Sequence, residues 1–134
     1  MDLIEKALEA MARAYVPYSQ FHVGAAIEAE NGDVFQGCNV ENVAYPEGTC
    51  AEAGAIAAMV LGGQTRIKRI AVTANGSETI TPCGGCRQKI AEFAPPEAEV
   101  ILAGPEGERA RMTVKDLLPG AFAKAHLSGN EDKS

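Results

Sequence analysis

"CAEAGAIAAMVLGGQTRIKRIAVTA", Cys50 to Ala74, is the stretch that decides the fold class. From Cys50 to Leu61 it carries five alanines together with Ile56, Met59 and Val60. It then stops at Gly62-Gly63, as a helix does at its C-terminal glycine. "IKRIAVTA", which follows, reads as a buried strand. A helix running into a buried strand, and doing so again farther on, is the pattern of helices layered on a sheet.

Upstream, Leu3, Ile4, Ala7, Leu8, Met11 and Ala14 recur at helical spacing and predict an amphipathic helix over residues 2–14, ended by Pro17. "FHVGAAIEAENGDVFQGCNV", residues 21–40, is two apolar stretches around Asn31-Gly32 and reads as a β-hairpin with a tight turn. Downstream, Pro82 is expected to open another helix and Pro95-Pro96 to close it. "AEVILAG" reads as a buried strand, "RMTV" as an edge strand, and Thr113-x-x-Asp116 as a capping box opening a short helix. The final "SGNEDKS", residues 128–134, reads as a flexible polar tail. The order α, β, β, α, β, α, β, β, α has no repeat and no long linker, so residues 1–134 are expected to form one domain. Its expected class is α/β: a three-layer α/β/α sandwich around one mixed five-stranded sheet. The two central helices would then follow one another across one face, where their N-termini could meet.

The 134 residues are 46% hydrophobic, enough for one core, but only 5% aromatic and without tryptophan, so that core should be Ala, Val, Ile and Leu. A net charge of −6 with no basic stripe argues against nucleic acid as a partner. Arg66, Lys68 and Arg69 read as a solvated strand edge. No apolar run approaches the roughly 18 residues that span a bilayer, and the N-terminus lacks a signal-peptide layout. A soluble, cytoplasmic protein is expected, and four cysteines in that compartment point to metal or redox chemistry before disulfides.

Cys83 and Cys86 stand three apart at a helix start, which lets two sulfurs converge on one ion. The same Cys-x-x-Cys could be a redox pair, but that leaves Cys50 and Glu52 without a role. Cys38 reads most simply as a small buried hydrophobe and His22 as a surface or edge histidine. Three thiolates with an open fourth position are the pattern of a catalytic zinc. Helix N-termini at Cys50 and Cys83 favour thiolates, so ionised ligands are expected at neutral pH. Glu52, two positions after Cys50, does not share its helical face and is no fourth ligand. It could reach the cavity ahead of the helix as a base, or it could merely complement the helix dipole.

With Cys50-Ala51-Glu52 followed 33 positions after Cys50 by Pro82-Cys83-Gly-Gly-Cys86, the sequence resembles the zinc-dependent nucleoside and nucleobase deaminases. "PYSQFHVGAAI", "GCNVENVAYPEGTCAE", "PCGGCRQKIAEF" and "LLPGAF", in that order between about Tyr15 and Phe122, resemble the small homotetrameric cytidine deaminases. The resemblance implies Cys50, Cys83 and Cys86 as ligands of one Zn2+ per subunit and Glu52 as proton shuttle. It implies deamination of cytidine and 2′-deoxycytidine to uridine and 2′-deoxyuridine with release of ammonia, in pyrimidine salvage. Asn39 and Glu41 match the family's ribose-contacting pair, though both also suit a polar strand end making turn hydrogen bonds. Phe21 matches the aromatic near the pyrimidine, and Ala51 would offer its backbone N–H to the base. Tyr45 and Phe122 would reach a neighbour's site in a homotetramer with shared active sites. Phe122 equally suits simple core or interface packing.

One position departs from the pattern. Many relatives carry arginine directly after the catalytic glutamate, where it donates to the zinc-bound sulfurs, and here that residue is Ala53. Compensation is expected from the two helix N-termini, with Arg87 either adding to it or facing solvent or an interface. The rival functions are a deaminase of a cytidine analogue such as a blasticidin-type nucleoside, and a non-catalytic zinc-binding or redox protein.

Overall fold

The structure, a computed structural model, describes residues 2–127; the proposed tail at 128–134 lies outside the described residues. Five strands form one mixed sheet in the order β2-β1-β3-β4-β5. They are β1 (Val23–Ala29), β2 (Val34–Cys38), β3 (Ile67–Ala74), β4 (Glu99–Gly104) and β5 (Gly107–Thr113). β3 and β4 run parallel and every other neighbouring pair is antiparallel. Helix α1 (Leu3–Met11) covers one face through Leu3 and Ala7 on Ala26, Ala71 and Ile101. Helices α2 (Ala51–Leu61) and α3 (Gly84–Phe93) cover the other, burying Ile56, Met59 and Ile90 against Ile27, Ile70, Val72 and Leu102. This is the expected α/β/α sandwich. Two short helices complete the order, α4 (Val114–Leu117) and α5 (Lys124–Leu127).

Local signals explain most of the boundaries. Asp2 caps α1 and forms a reciprocal capping box with Glu5. The helix ends at Met11, before the expected residue 14, because the chain must turn out to let Tyr15 bridge Val40. The hairpin forms as expected, but residues 30–33 make a four-residue loop in which the Asn31 carboxamide accepts from the Asp33 N–H. The box at Thr113 and Asp116 caps α4. Helix α3 starts at Gly84 with Cys83 as its N-cap, so Pro82 lies just outside the helix instead of in its first turn. The edge strand β5 begins at Gly107, four residues before "RMTV". The basic cluster does not lie on a sheet edge. β3 sits between β1 and β4, and Lys68 and Arg69, near its start, both pair with Glu28 on β1.

Two glycines set the helix distances. A Cβ at Gly24 would stand 2.1 Å from the Ala7 carbonyl oxygen of α1. One at Gly37 would stand 2.3 Å from the Ala55 nitrogen and 2.4 Å from the Ala51 oxygen of α2. Each helix backbone therefore rests directly on the sheet, and α2 does so at its N-terminal turn.

Candidate metal centre and active-site cavity

The N-caps of α2 and α3 are Cys50 and Cys83, both in extended backbone, and Cys86 is the third residue of α3. Packing α2 and α3 side by side on one face brings the three sulfurs to within 4.8 Å of one another, with Cys50 and Cys83 3.9 Å apart. A tetrahedral zinc with ligand bonds of about 2.3 Å holds its sulfurs about 3.8 Å apart. The trio fits such an ion with little movement. Among the described residues no histidine or carboxylate joins the cluster, so the donor set is three sulfurs. Cys38 lies on the α1 side of β2, its thiol directed at the Arg13 carbonyl, and His22 stands beside the Met11 carbonyl.

Different forces hold the two tips. Residues 39–49 reach Cys50 through backbone bonds: Val40 and Thr49 exchange N–H···O bonds of 3.0 and 2.8 Å, and the Glu41 N–H donates to Tyr15. The segment leading to Cys83 is held by arginines. Arg87 donates from Nε to the Pro82 carbonyl at 2.8 Å, from one terminal nitrogen to the Leu117 carbonyl at 2.9 Å, and from the other to Thr81 Oγ1 at 2.7 Å. Arg109 donates to the carbonyls of Gly76 and Glu78 on the same loop. The expectation that Arg87 adds charge at the sulfurs is thus replaced: its donors are committed to the loop that presents Cys83.

Burial raises the Cys50 and Cys86 thiols above their ordinary range; at Cys50 the Cys86 thiol opposes the rise while Cys83 and Glu52 add to it, and at Cys86 Glu52 and both other sulfurs add to it. Only Cys83 is lowered, chiefly by the backbone amide of Cys86 facing its sulfur. Thiolates at all three positions in advance of the metal are therefore not what the protein alone provides. Desolvation outweighs the helix N-termini, and a divalent cation must displace the protons.

Glu52 is one of only two buried polar side chains among the described residues, at 4% exposure, and it forms no ion pair there. Burial pushes its carboxyl up, opposed by its own backbone N–H, the Cys86 thiol and the charge of Lys89. A carboxyl raised by burial above its ordinary range is better suited to taking up and releasing a proton than an exposed one. The first helical hydrogen bond of α2 runs from the Gly54 N–H to the Cys50 carbonyl, so the N–H groups of Ala51, Glu52 and Ala53 precede the helical ladder.

A cavity of about 310 Å³ opens in front of these tips. Asn39, Glu41, Tyr45, Cys50, Ala51, Glu52 and Cys83 line it, and Cys86 is buried behind the other two sulfurs. Glu41 accepts from the Tyr18 and Ser19 N–H groups and from the Ser19 hydroxyl. Asn39 accepts from the Val23 N–H and donates to the Phe21 carbonyl, both at 2.9 Å. The polar strand-end role weighed for this pair is therefore real, and both residues still face the cavity. Phe21 is half-buried against the core outside the lining, and Phe122 lies in a separate groove near α4. Val23, Ile80 and Thr81 also line the cavity, and sequence reasoning missed them. Val23 carried only the signal of a strand residue; Thr81, next to Pro82-Cys83, and Thr49, next to Cys50, which also lines the cavity, stand beside residues that the sequence did single out.

A family model described as the cytidine and deoxycytidylate deaminase zinc-binding region matches residues 1–102. The chain belongs to that family. Cytidine deaminase from Sporosarcina psychrophila is 46% identical over 126 residues, covering 94% of this chain and 93% of the relative. That from Halalkalibacterium halodurans is 42% identical, covering 94% and 96%. The crystal structure of cytidine deaminase from Burkholderia pseudomallei superposes with a TM-score of 0.85 at 43% identity, covering 90% of this chain and 96% of that one. The cofactor of this deaminase-family chain is zinc, and the sulfur trio is the group able to hold it among the described residues. No helix among the described residues is long and apolar enough to cross a membrane.

Proposed function

We propose that this chain is a cytidine deaminase, converting cytidine and 2′-deoxycytidine with water to uridine and 2′-deoxyuridine plus ammonia. One observation carries the reading: a three-sulfur cluster and a buried carboxyl that joins no ion pair among the described residues face the same cavity. Cys50, Cys83 and Cys86 hold zinc, whose chemistry, when it is bound, is to make water nucleophilic at neutral pH. Glu52 accepts the proton that water loses on attacking C4 and delivers it to ring N3; it then takes up the second proton, from the hydroxyl now on C4, and passes it to the departing amino group. The C4–N bond breaks, a C4–O bond replaces it, and water's two hydrogens leave on nitrogen and N3. Proton transfers of this kind contribute on the order of 10²- to 10⁴-fold each.

Ala51, fully buried at the first position of α2, directs its backbone N–H to the pyrimidine carbonyl. Asn39 and Glu41 take the sugar hydroxyls, and Phe21 packs beyond them toward the base. Tyr45, 77% exposed, and Phe122, 58% exposed, are surface aromatics suited to completing a neighbour's cavity in a homotetramer. Residues 1–134 act as one domain, in the cytoplasm, where free nucleosides and reduced thiols coexist.

The test is an ultraviolet assay on cytidine, deoxycytidine, cytosine and adenosine, run on the wild type and on Glu52→Gln with bound zinc measured in both. Turnover of the two pyrimidine nucleosides, lost in the variant while zinc stays bound, is the expected result. Wild-type protein that carries zinc yet leaves cytidine unchanged would sink the proposal.

A further inference from the structure

Three thiolates on a divalent ion leave one excess negative charge, and an ionised Glu52 beside them adds another. Ala53, next to Glu52, has no charge to offer, and Arg87 is committed to Pro82, Thr81 and Leu117. Lys89 is the cation left near the site. Its ammonium lies 3.7 Å from where a Cβ of Gly85 would stand, over the first turn of α3, at a residue that falls between Cys83 and Cys86 in the sequence.

This placement runs against local electrostatics. A cation is disfavoured at a helix N-terminus. A carboxylate is available in the opposite direction, since Glu92 stands at i+3 on the same helix, but Glu92 pairs with Lys124. Lys89 joins none of the ion pairs formed among the described residues. Lys89 also lines the groove between α2 and α3 with Ala53, Ile56 and Phe93, so apolar packing along its carbon stem accompanies the return of the head group to the first turn of α3. Its charge also acts on Glu52.

We propose that Lys89 is the charge-compensating positioning residue of the metal centre, its ammonium offsetting the excess negative charge that the three thiolates bring to bound zinc. The inference rests on the zinc-deaminase reading above. The carbon stem supplies reach, and the absence of a competing ion pair leaves the charge available. Screening by salt follows, because the head group is exposed.

Zinc affinity, read by competition with a chromophoric chelator on the holoenzyme, tests this directly. Wild type, Lys89→Met and Lys89→Arg are compared at about 0.01 M and about 1 M salt, where the screening length falls from about 30 to about 3 Å. Lys89→Met should bind zinc about tenfold more weakly at low salt, at the lower end of what outer-shell partners contribute. That deficit should shrink to within about twofold at high salt, and Lys89→Arg should match wild type. Equal affinity of Lys89→Met and wild type at low salt overturns the inference. So does a deficit that salt leaves unchanged, or one that Lys89→Arg shares, since packing loss would produce either. Wild-type protein that takes up no zinc overturns the metal reading along with it, whereas the other outcomes leave that reading standing.

Discussion

The two helix tips that meet at the sulfur cluster are built in opposite ways. The tip of α2 is held by contact: its backbone touches Gly37, Ala51 and Ala55 are fully buried, and the approach through residues 39–49 is backbone hydrogen bonding. The tip of α3 is held by polar side chains, with Arg87 and Arg109 grasping the carbonyls of the loop before Cys83. Cys50 and Glu52 therefore sit on a rigid platform, while Cys83 depends on hydrogen bonds that water can compete for. Close packing tolerates almost no added volume, whereas a polar anchor loses strength one bond at a time.

The contrast is most easily broken at Gly37. Gly37→Ala drives a Cβ into the α2 backbone, where no side chain can give way, and should cost about 3 kcal/mol or more together with bound zinc. A urea midpoint unchanged from wild type would mean that α2 does not rest on this contact. Next in size is Arg87→Leu, which orphans two carbonyls and the Thr81 hydroxyl. A loss of about 1–3 kcal/mol is expected, with zinc retained more weakly than in wild type. Equal zinc affinity and an equal midpoint would show that the α3 tip stands without its arginine.

Arg109→Gln should act more gently. Its guanidinium also binds the Glu106 carboxylate, and the carbonyls of Gly76 and Glu78 lie where water can replace it. The expected outcome is faster hydrogen exchange in residues 75–81 with little change in the global midpoint; exchange that spreads equally into α2 would erase the distinction between the tips. The smallest effect concerns Glu41, the carboxylate near the α2 approach. The Ser19 hydroxyl, and then the Ser19 and Tyr18 N–H groups, hold its pKa below the ordinary value of 4.5. A depressed carboxyl contributes stability that is complete above the unfolded value and lost as pH falls through the lower folded one. The amide resonances of Tyr18 and Ser19 should accordingly move only below about pH 4.5, and not at all in Glu41→Gln. Titration of both amides near neutrality would separate Glu41 from that loop.

Legibility divided along the same line. The capping box at Thr113 and the glycine stop after Leu61 were readable because each is settled among residues within one turn. The cysteines were readable because their spacing encodes convergence on an ion. The full extent of β5 was not, since three of the seven residues of "GERARMT" are charged and only Ala110 and Met112 turn to the core, too short an apolar alternation to announce a strand. The roles of Arg87 and Arg109 in tying down the Cys83 loop were invisible because most of the groups they hold there are carbonyls, which every residue carries. The helix N-termini gave the right direction for the Cys83 thiol but not for Cys50, because helix ends are local whereas desolvation depends on everything packed around the sulfurs.

By itself, then, the sequence determined the layers, the order of elements and the identity of the donor atoms, because periodicity, caps and ligand chemistry are properties of short segments. Only tertiary structure decided how near α2 lies to the sheet, which arginines tie down the Cys83 loop, and that the Lys89 ammonium lies over Gly85. Those outcomes depend on distances between segments far apart in the chain, and such distances are fixed by close packing and competition for hydrogen-bond partners once all the layers are in place.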